Sequence, residues 1–275
     1  MIRNIRSELL LVRKRTSTWV ILGIWTALAL TFAYVVAYVT YLNGTSRETL
    51  EDLLPQSLVA TTLVGFPFFG GVLALMLGVL SVGGEYGWGT LKTVFTQGPG
   101  RLQVLAAKLV ALAVALVPFV LVVFGLGAVA SLAIALREGA DVAWPEPGEL
   151  LRGLLAGWLL LAVWAAVGVF LAVLTRGTAL ATGIGILYAL VVEGILSALA
   201  REIGFLDGLV ELFIRANAYS LAATVGVSRA EVADMGPGSF SGPFVDGGQA
   251  MLVLVAYCAL FLGAAAWLLR RRDVT

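Results

Sequence analysis

Residues 153–200 read GLLAGWLLLAVWAAVGVFLAVLTRGTALATGIGILYALVVEGILSALA, and this stretch decides the fold class. Its only Asp, Glu, Lys or Arg residues are Arg176 and Glu193. Because the hydrocarbon core of a bilayer is about 30 Å thick, a helix needs about 20 apolar residues to cross it. The stretch therefore predicts two membrane-spanning helices, which are joined by a tight turn at Arg176 and Gly177.

The composition of the whole chain agrees with a membrane protein. Of its 275 residues, 60% are hydrophobic and 13% are charged, and the mean hydropathy is +0.98. Average globular proteins carry about 25% charged residues. We therefore expect a single transmembrane domain over residues 1–275.

Residue types that are absent from the chain exclude several functions. The chain has no histidine and one cysteine. It can therefore form no internal disulfide, no Cys/His zinc site and no Ser-His or Cys-His nucleophile. We assign no catalytic and no metal-binding residue, and we expect the chain not to be an enzyme. The net charge of +1 gives no indication of nucleic-acid binding.

Six apolar runs are long enough to cross a bilayer, and the fifth contains Glu193. An ionised carboxylate near a helix centre costs about 2.5 to 3.5 kcal/mol, and the Leu, Ile and Val residues of that run offset this cost. Five spans is the competing number. The expected membrane-spanning helices cover residues 18–42, 57–82, 102–136, 150–174, 178–200 and 249–269.

The positions of Lys and Arg predict the orientation. With six spans and a cytoplasmic N-terminus, twelve of these residues fall on the inner side and six on the outer side. This bias follows the positive-inside rule. Five spans would place the basic cluster 270–272 outside, against the rule. We therefore expect both termini in the cytoplasm.

Two segments are expected to lie at the inner surface. Residues 1–16 combine apolar side chains at helical spacing with basic ones, which predicts an amphipathic helix on the membrane; a simple topology signal is the alternative. Residues 83–101 read GGEYGWGTLKTVFTQGPGR. Trp88, Leu91 and Phe95 share one helical face there between glycine-rich breaks. This loop should bind another protein, and an interfacial loop without a partner is the alternative.

Glu193 is the one acidic residue well inside an expected span. An intramembrane carboxylate suggests a proton relay or a cation site. Its position towards the outer end favours a polar contact near the outer surface instead, with Arg152 or Arg201 as the partner.

The outer segment, residues 201–247, is long for a connection and has an apolar periodicity. Ile203, Leu206, Val210 and Phe213 lie at helical spacing. They predict a second amphipathic helix that rests on the outer leaflet or dips into it.

Prolines and glycines bear on the shape of the helices. Pro67 and Pro118 each remove one backbone hydrogen bond and are expected to kink their helices. Gly153 and Gly157 form a GxxxG motif, which permits close packing of helices. A dimer contact through this motif is one alternative.

The order of these features resembles the bacterial ABC-2 type transporter permeases over essentially the whole chain. The specific part of the resemblance is a motif around the loop after the second span. Members of that family often carry Ser or Thr directly before the arginine of the motif, where this chain has Gly100. The motif residues here are Gly84, Glu85, Gly89, Thr90, Leu91, Pro99, Arg101 and Lys108.

The resemblance implies an all-α membrane fold of the type V exporter kind, with six transmembrane helices and cytoplasmic termini. It implies that residues 83–101 form a coupling-helix loop that docks on a soluble ATPase, and that residues 201–247 form surface or re-entrant helices near the exit of the pathway. The residues expected to bind the ATPase are Glu85, Tyr86, Trp88, Thr90, Leu91, Phe95 and Arg101.

No GxxxxGK[ST] phosphate-binding motif occurs in the chain, so ATP and Mg²⁺ should be bound by a separate ATPase subunit. The resemblance implies two copies of the permease and two ATPases, surrounded by the lipids of a bacterial plasma membrane. It also implies export of an apolar or amphipathic substrate such as a lipid, a drug or a peptide antibiotic.

Two other functions fit the residues less well. An intramembrane enzyme needs paired acids, a serine with a base, or a metal-binding motif, and none of these is found. An ATP-independent secondary transporter or channel would show inverted repeats or several polar residues in its spans. The two halves of this chain differ and Glu193 stands alone, so this class is kept as the alternative.

Overall fold

A computed structural model describes residues 2–44, 49–87, 100–202, 207–233, 240 and 242–271. A segment in a bilayer must satisfy its own backbone hydrogen bonds, which favours helices, and every regular element of the described residues is helical. In chain order the helices are α1 (Ile2–Lys14), α2 (Thr16–Leu42), α3 (Leu50–Leu53), α4 (Leu58–Leu63), α5 (Phe66–Tyr86), α6 (Arg101–Glu138), α7 (Pro147–Thr175), α8 (Ala179–Leu196), α9 (Asp207–Val210), α10 (Ile214–Ala223), α11 (Arg229–Ala233) and α12 (Gly247–Arg271).

Six of these helices are long and apolar enough to cross a membrane, which confirms the predicted number for the described part of the chain. They are α2, α5, α6, α7, α8 and α12. The largest difference from the expected bounds concerns the helix predicted over residues 57–82. It is divided into α4 and α5, because the chain turns at Val64 and Gly65 and continues as a π-helical segment, Phe66–Gly70, that contains Pro67. A proline lacks the N–H that would continue an α-helix.

The closest contact in the bundle joins α5 to α7. A Cβ atom added at Gly78 would lie 2.1 Å from the carbonyl oxygen of Ala165, and one added at Gly168 would lie 2.1 Å from that of Leu75. Only glycine permits backbones to approach this closely. The two helices therefore pack as one rigid pair.

The GxxxG motif of α7 packs inside the chain. A Cβ added at Gly153 would lie 2.5 Å from the Val59 side chain, and one added at Gly157 would lie 2.9 Å from Phe66. These neighbours belong to α4 and to the start of α5. The face that both glycines share is thus covered by the same chain, so the motif packs within the chain and not against a second copy.

Pro118 lies within α6, which continues as one helix from Arg101 to Glu138. Two indole rings donate hydrogen bonds to backbone carbonyls on either side of it. Nε1 of Trp158 lies 3.0 Å from the oxygen of Ala113, and Nε1 of Trp25 lies 3.2 Å from that of Phe119. The flanking helices α7 and α2 therefore support α6 where proline weakens its own backbone bonding.

The outer segment contains a helix that the sequence pattern did not predict. Of the apolar series predicted there, Ile203 and Leu206 lie outside the described residues, and Val210 ends the short helix α9. The chain then inserts α10, whose residues from Ile214 to Ala222 are all buried. It packs against α12, α7 and the π-helical start of α5. The buried helix α10 thus follows the segment predicted as a surface helix, and that prediction falls partly outside the described residues.

One end of the bundle carries α1, the start of α6 and the end of α12, and we call it the basic end. It holds Arg13 and Lys14 at the end of α1 and Arg270 and Arg271 at the end of α12. α1 covers the residues predicted for the amphipathic helix and packs against α6. Its exposed surface includes Leu10 and other apolar side chains, as a helix at a membrane surface requires.

Candidate functional site

A buried lysine connects three helices at the basic end. Lys108 of α6 is only 3% exposed. Its Nζ donates a hydrogen bond to Oε1 of Glu8 in α1, at 2.9 Å, and another to Oε1 of Glu85 near the end of α5. A buried charge is tolerated only when it is paired. The three residues, called here the Lys108 cluster, therefore hold α1, α5 and α6 together.

Two arginines add backbone contacts around the Lys108 cluster. Nη1 of Arg15, between α1 and α2, donates to the carbonyl oxygen of Leu80 in α5 at 2.8 Å. Nη1 of Arg101, the first residue of α6, lies 3.5 Å from the carbonyl oxygen of Leu269 near the end of α12. Carbonyls in the last turn of a helix lack intrahelical donors, so a cation is favourable there. Arg101 thereby connects the start of α6 to the end of α12.

The residues predicted to bind an ATPase fall into two groups. Glu85 is buried with its carboxylate on Lys108, Tyr86 is half-buried against the core, and Arg101 is half-buried. The remaining four, Trp88, Thr90, Leu91 and Phe95, lie outside the described residues. The two flanks of the loop are held by different contacts, Glu85 by Lys108 of α6 and Arg101 by the end of α12, and an ATPase contact stays a prediction for all seven.

Glu8 was missed as a candidate residue, although the sequence contained a signal for it. It is the one acidic residue in α1, whose charged residues are otherwise basic. An acidic residue on the packed face of a basic amphipathic helix is expected to pair with a cation of the protein. Glu8 lies on that face, opposite Lys108.

Glu193 has no exposed surface, and its carboxylate binds the N-terminus of α10. Oε1 accepts hydrogen bonds from the N–H of Ile214 at 3.1 Å and from the hydroxyl of Tyr188 at 2.8 Å. Oε2 accepts a bond from the N–H of Arg215 at 3.2 Å. The first N–H groups of a helix have no intrahelical acceptor and favour a negative charge.

This geometry gives Glu193 partners that were not predicted. Arg152, one of the two expected partners, is exposed on α7, and the side chain of Arg201, the other, lies outside the described residues. The donors that the structure shows are two backbone groups of α10 and Tyr188, which precedes Glu193 in α8. The difference arises because α10 folds back into the bundle and covers Glu193, an arrangement that residue spacing does not reveal.

A π-helical segment, Tyr188–Val192, brings Tyr188 and Glu193 together. The N–H of Glu193 bonds to the carbonyl oxygen of Tyr188. A π turn closes bonds between residues five apart, so it stacks these two side chains on one face. The hydroxyl of Tyr188 then reaches the carboxylate directly.

Arg215 is the cation next to this carboxylate, and it is also buried. Its guanidinium lies 5.2 Å from the ring centre of Phe68 in α5 and 6.0 Å from that of Tyr219 in α10. Aromatic faces stabilise a guanidinium that is removed from water. Arg215 thus joins the N-terminus of α10 to the start of α5.

An apolar cavity of about 270 Å³ lies between α6, α7 and α12. Its walls are aliphatic side chains together with Trp158 and Cys258. The indole N–H of Trp158 is already bonded to Ala113. The cavity can therefore hold a hydrocarbon group and has little to offer a charged one.

The described residues contain no group of three His, Cys, Asp or Glu side chains that could hold a metal ion. Two polar clusters of these residues are buried: the Lys108 cluster at the basic end and the Glu193 carboxylate with its donors. In both, a buried charged group has hydrogen-bond partners from other helices.

Comparison with known proteins gives one family. A family model described as "ABC-2 family transporter protein" matches residues 5–274. No curated protein matches the chain. The match covers nearly all of the residues from α1 to the end of α12.

Proposed function

This chain belongs to the ABC-2 transporter family and is a multi-pass membrane subunit of an ABC transporter whose ATPase is a separate subunit; from that premise we propose that two copies, with two ATPases, export an apolar or amphipathic substrate. The bacterial plasma membrane fits the family. The proposal adds the copy number, the substrate class and the direction.

We assign the basic end of the bundle to the cytoplasm. The distribution of Lys and Arg, twelve against six, supports this orientation. It places the loop of residues 88–99, the exposed basic residues of α1 and the end of α12 on the side where ATP is available. An ATPase can reach the loop only from that side.

The Lys108 cluster is the observation that carries the coupling role. The loop 88–99 leaves α5 just after Glu85 and enters α6 at Arg101. Glu85 is bound to Lys108, Lys108 to Glu8, and Arg101 contacts the end of α12. A force on the loop would therefore move α1, α5, α6 and α12 together. It would not be lost as bending of the chain at one end of the loop.

The close contact of α5 and α7 would carry this motion across the membrane. Gly78 and Gly168 allow the two backbones to touch, so a tilt of α5 moves α7 with it. The opposite ends of this pair lie against α10. Rearrangement of α10 would then open the pathway on the side away from the ATPase, which is the direction of export.

The cavity between α6, α7 and α12 supports the proposed substrate class. It is lined by apolar side chains and has a volume of about 270 Å³. This is about nine times the volume that one molecule occupies in liquid water. A charged solute would lose its hydration there without a compensating partner. An acyl chain or another hydrocarbon group suits these walls.

Purification of the tagged native protein in mild detergent tests the function. We expect an ATPase with a GxxxxGK[ST] motif to be recovered in a one-to-one ratio, and the complex to hydrolyse ATP. Hydrolysis should stop when the lysine of that motif is replaced, because it binds the nucleotide phosphates. A lipid or peptide that is recovered with the complex would identify the substrate.

Two results would contradict the proposal. One is a pure permease that carries a solute across vesicles in the absence of ATP, which would favour the secondary transporter. The other is a loop at residues 88–99 that an impermeant reagent labels from outside the intact cell.

A further inference from the structure

We propose that Glu193 is a positioning residue whose hydrogen bonds hold the buried helix α10 in the position that the structure shows, called here the closed position. We call these hydrogen bonds the latch. Movement of α5 releases the latch through Phe68. The inference rests on the proposed function, because it identifies α10 as the moving part of the pathway. The Glu193 cluster is defined here as Glu193, Tyr188, Arg215 and the backbone N–H of Ile214.

The hydrogen bonds of Glu193 are the first support. Its two carboxylate oxygens accept three bonds, two of them from the first N–H groups of α10. The carboxylate and the N-terminus of α10 are both buried. Removal of the carboxylate would take away the acceptor that the structure gives those two N–H groups, and this loss favours a shift of the helix towards water.

The composition of α10 is the second support. Arg215, Asn217 and Ser220 are buried polar residues in a helix of ten. The Nδ2 group of Asn217 donates to the backbone of Glu211 and Phe213, while its buried Oδ1 has no hydrogen-bond partner among the described residues. A helix made for permanent burial would be apolar. These side chains allow α10 to exist in contact with water as well.

The contact with α5 is the third support. Phe68, at one end of α5, holds its ring against the guanidinium of Arg215, and Glu85, near the other end, belongs to the Lys108 cluster. One continuous helix thus connects the two clusters. A tilt of α5 that begins at Glu85 moves Phe68 against Arg215, the residue whose N–H binds Glu193.

Local helix geometry on both sides of the Glu193 cluster is the fourth support. Phe68 lies in the π-helical segment Phe66–Gly70, and Glu193 directly follows the π-helical segment Tyr188–Val192. π-helical turns are less stable than α-helical ones and frequently occur at functional sites. Both elements that hold the cluster can therefore change register locally.

Labelling of a reporter cysteine in α10 tests the latch. Cys258 is the one native cysteine, so the Cys258→Ala variant is a cysteine-free background, and Ser220→Cys is a nearly isosteric reporter that is 2% exposed in the closed state. The purified complex with its ATPase, in lipid nanodiscs, is treated with a charged maleimide with and without ATP. The labelling rate reports how often α10 is exposed.

Without nucleotide, we expect Glu193→Gln to raise the labelling rate about tenfold, since the amide replaces one charge-assisted acceptor. Tyr188→Phe, which removes a single hydrogen bond and keeps the ring, should raise it about threefold. Glu193→Asp should restore most of the protection, and Glu211→Gln, an acid of the same segment, should have no effect. ATP should accelerate labelling in the background chain and have little further effect in Glu193→Gln.

The Phe68→Ala variant tests the release of α10 by α5 independently of the hydrogen bonds that hold α10. This variant removes one aromatic contact of Arg215 and keeps all three hydrogen bonds of Glu193, so without nucleotide it should label more slowly than Glu193→Gln, and it should lose the acceleration by ATP. A residue that merely stabilises the fold would not remove that acceleration.

A labelling rate of Glu193→Gln equal to that of the background chain would overturn the latch. Should this variant fail to fold, an unchanged rate for Tyr188→Phe would have the same meaning. Full acceleration by ATP in Phe68→Ala would overturn the release through α5. Absence of any ATP effect in the background complex would instead refute the proposed function, while the comparison without nucleotide still decides the latch.

Discussion

At the scale of single residues, Lys108 determines how the basic end is built. Its ammonium group is removed from water and has carboxylates from two other helices as partners. Two charges in a low-dielectric surrounding attract strongly, but their desolvation opposes this attraction. The cluster therefore contributes more to the specific arrangement of α1, α5 and α6 than to net stability.

Replacing Lys108 with Met should destabilise the protein by about 3 kcal/mol, because Glu8 and Glu85 would be left close together without a cation. The midpoint of thermal unfolding in detergent is the measurement. Lys14→Met is the matched control, since Lys14 is exposed at the end of α1, and it should leave the midpoint nearly unchanged.

Removal of the acidic partners supplies a second check on the Lys108 cluster. The triple variant Lys108→Met, Glu8→Gln, Glu85→Gln should recover part of the lost stability, because no unpaired charge remains. If Lys108→Met alone unfolds at the same temperature as the Lys14→Met control, the cluster does not hold the basic end together.

At the scale of helices, the contact between α5 and α7 depends on two glycines. Gly78 and Gly168 each face a backbone carbonyl of the opposite helix. In a bilayer, close van der Waals packing of this kind holds helices together, since lipid chains are as apolar as the side chains themselves. The rigid pair that results connects the basic end to α10.

Gly168→Ala should lower stability by about 1 to 3 kcal/mol, since its methyl group cannot fit beside the carbonyl of Leu75 and the helices must separate. The expected sign is opposite to that of helix propensity, in which alanine exceeds glycine. Gly125→Ala in α6 is the control, because a Cβ there meets nothing within 4 Å. Thermal unfolding of both variants is compared in one detergent.

A Gly168→Ala midpoint equal to that of the control would show that α5 and α7 can separate at little cost. The motion described for export would then need another route between the two ends of the bundle.

The helices also show where a pattern in sequence is sufficient and where it is not. The runs that became α6, α7 and α12 differ from their predicted bounds by one to three residues at each end, because charges and Gly or Pro mark those ends. The second span was predicted as one helix and is broken at Gly65. Proline marked the position of that break, and packing of α7 against α4 and α5 decided its form.

At the scale of the whole molecule, the proposed function requires that ATP hydrolysis on the partner moves helices in this chain. The route runs from the loop 88–99 through Glu85 and α5 to Arg215 and α10. Energetic coupling over such a distance needs elements with two discrete arrangements, and spatial order along a route is no proof of it. The loop is the point where the route can be interrupted without change to the helices.

Replacement of Trp88 and Phe95 with Ser should uncouple ATP hydrolysis from transport and leave membrane insertion intact, because both rings lie on the predicted docking face. The ATPase rate and the ATP-driven labelling of Ser220→Cys are measured on the same complex. Thr93 and Gln97 fall on other sides of that predicted helix, so Thr93→Ala with Gln97→Ala is the control. Unchanged coupling in the serine variant would reject the docking role of the loop.

The sequence by itself determined the class of this protein, a six-span membrane subunit. These features follow from composition and from the length of uncharged runs, which the bilayer imposes on any chain. It also showed that Glu193 and the loop near Glu85 are unusual. Only the tertiary structure identified the partners of Glu193 and Lys108, because the contacts between different helices join residues that are 21 to 100 positions apart. Whether a buried charge is paired depends on which helices pack beside it, and the local spacing of residues in the sequence does not determine these neighbours.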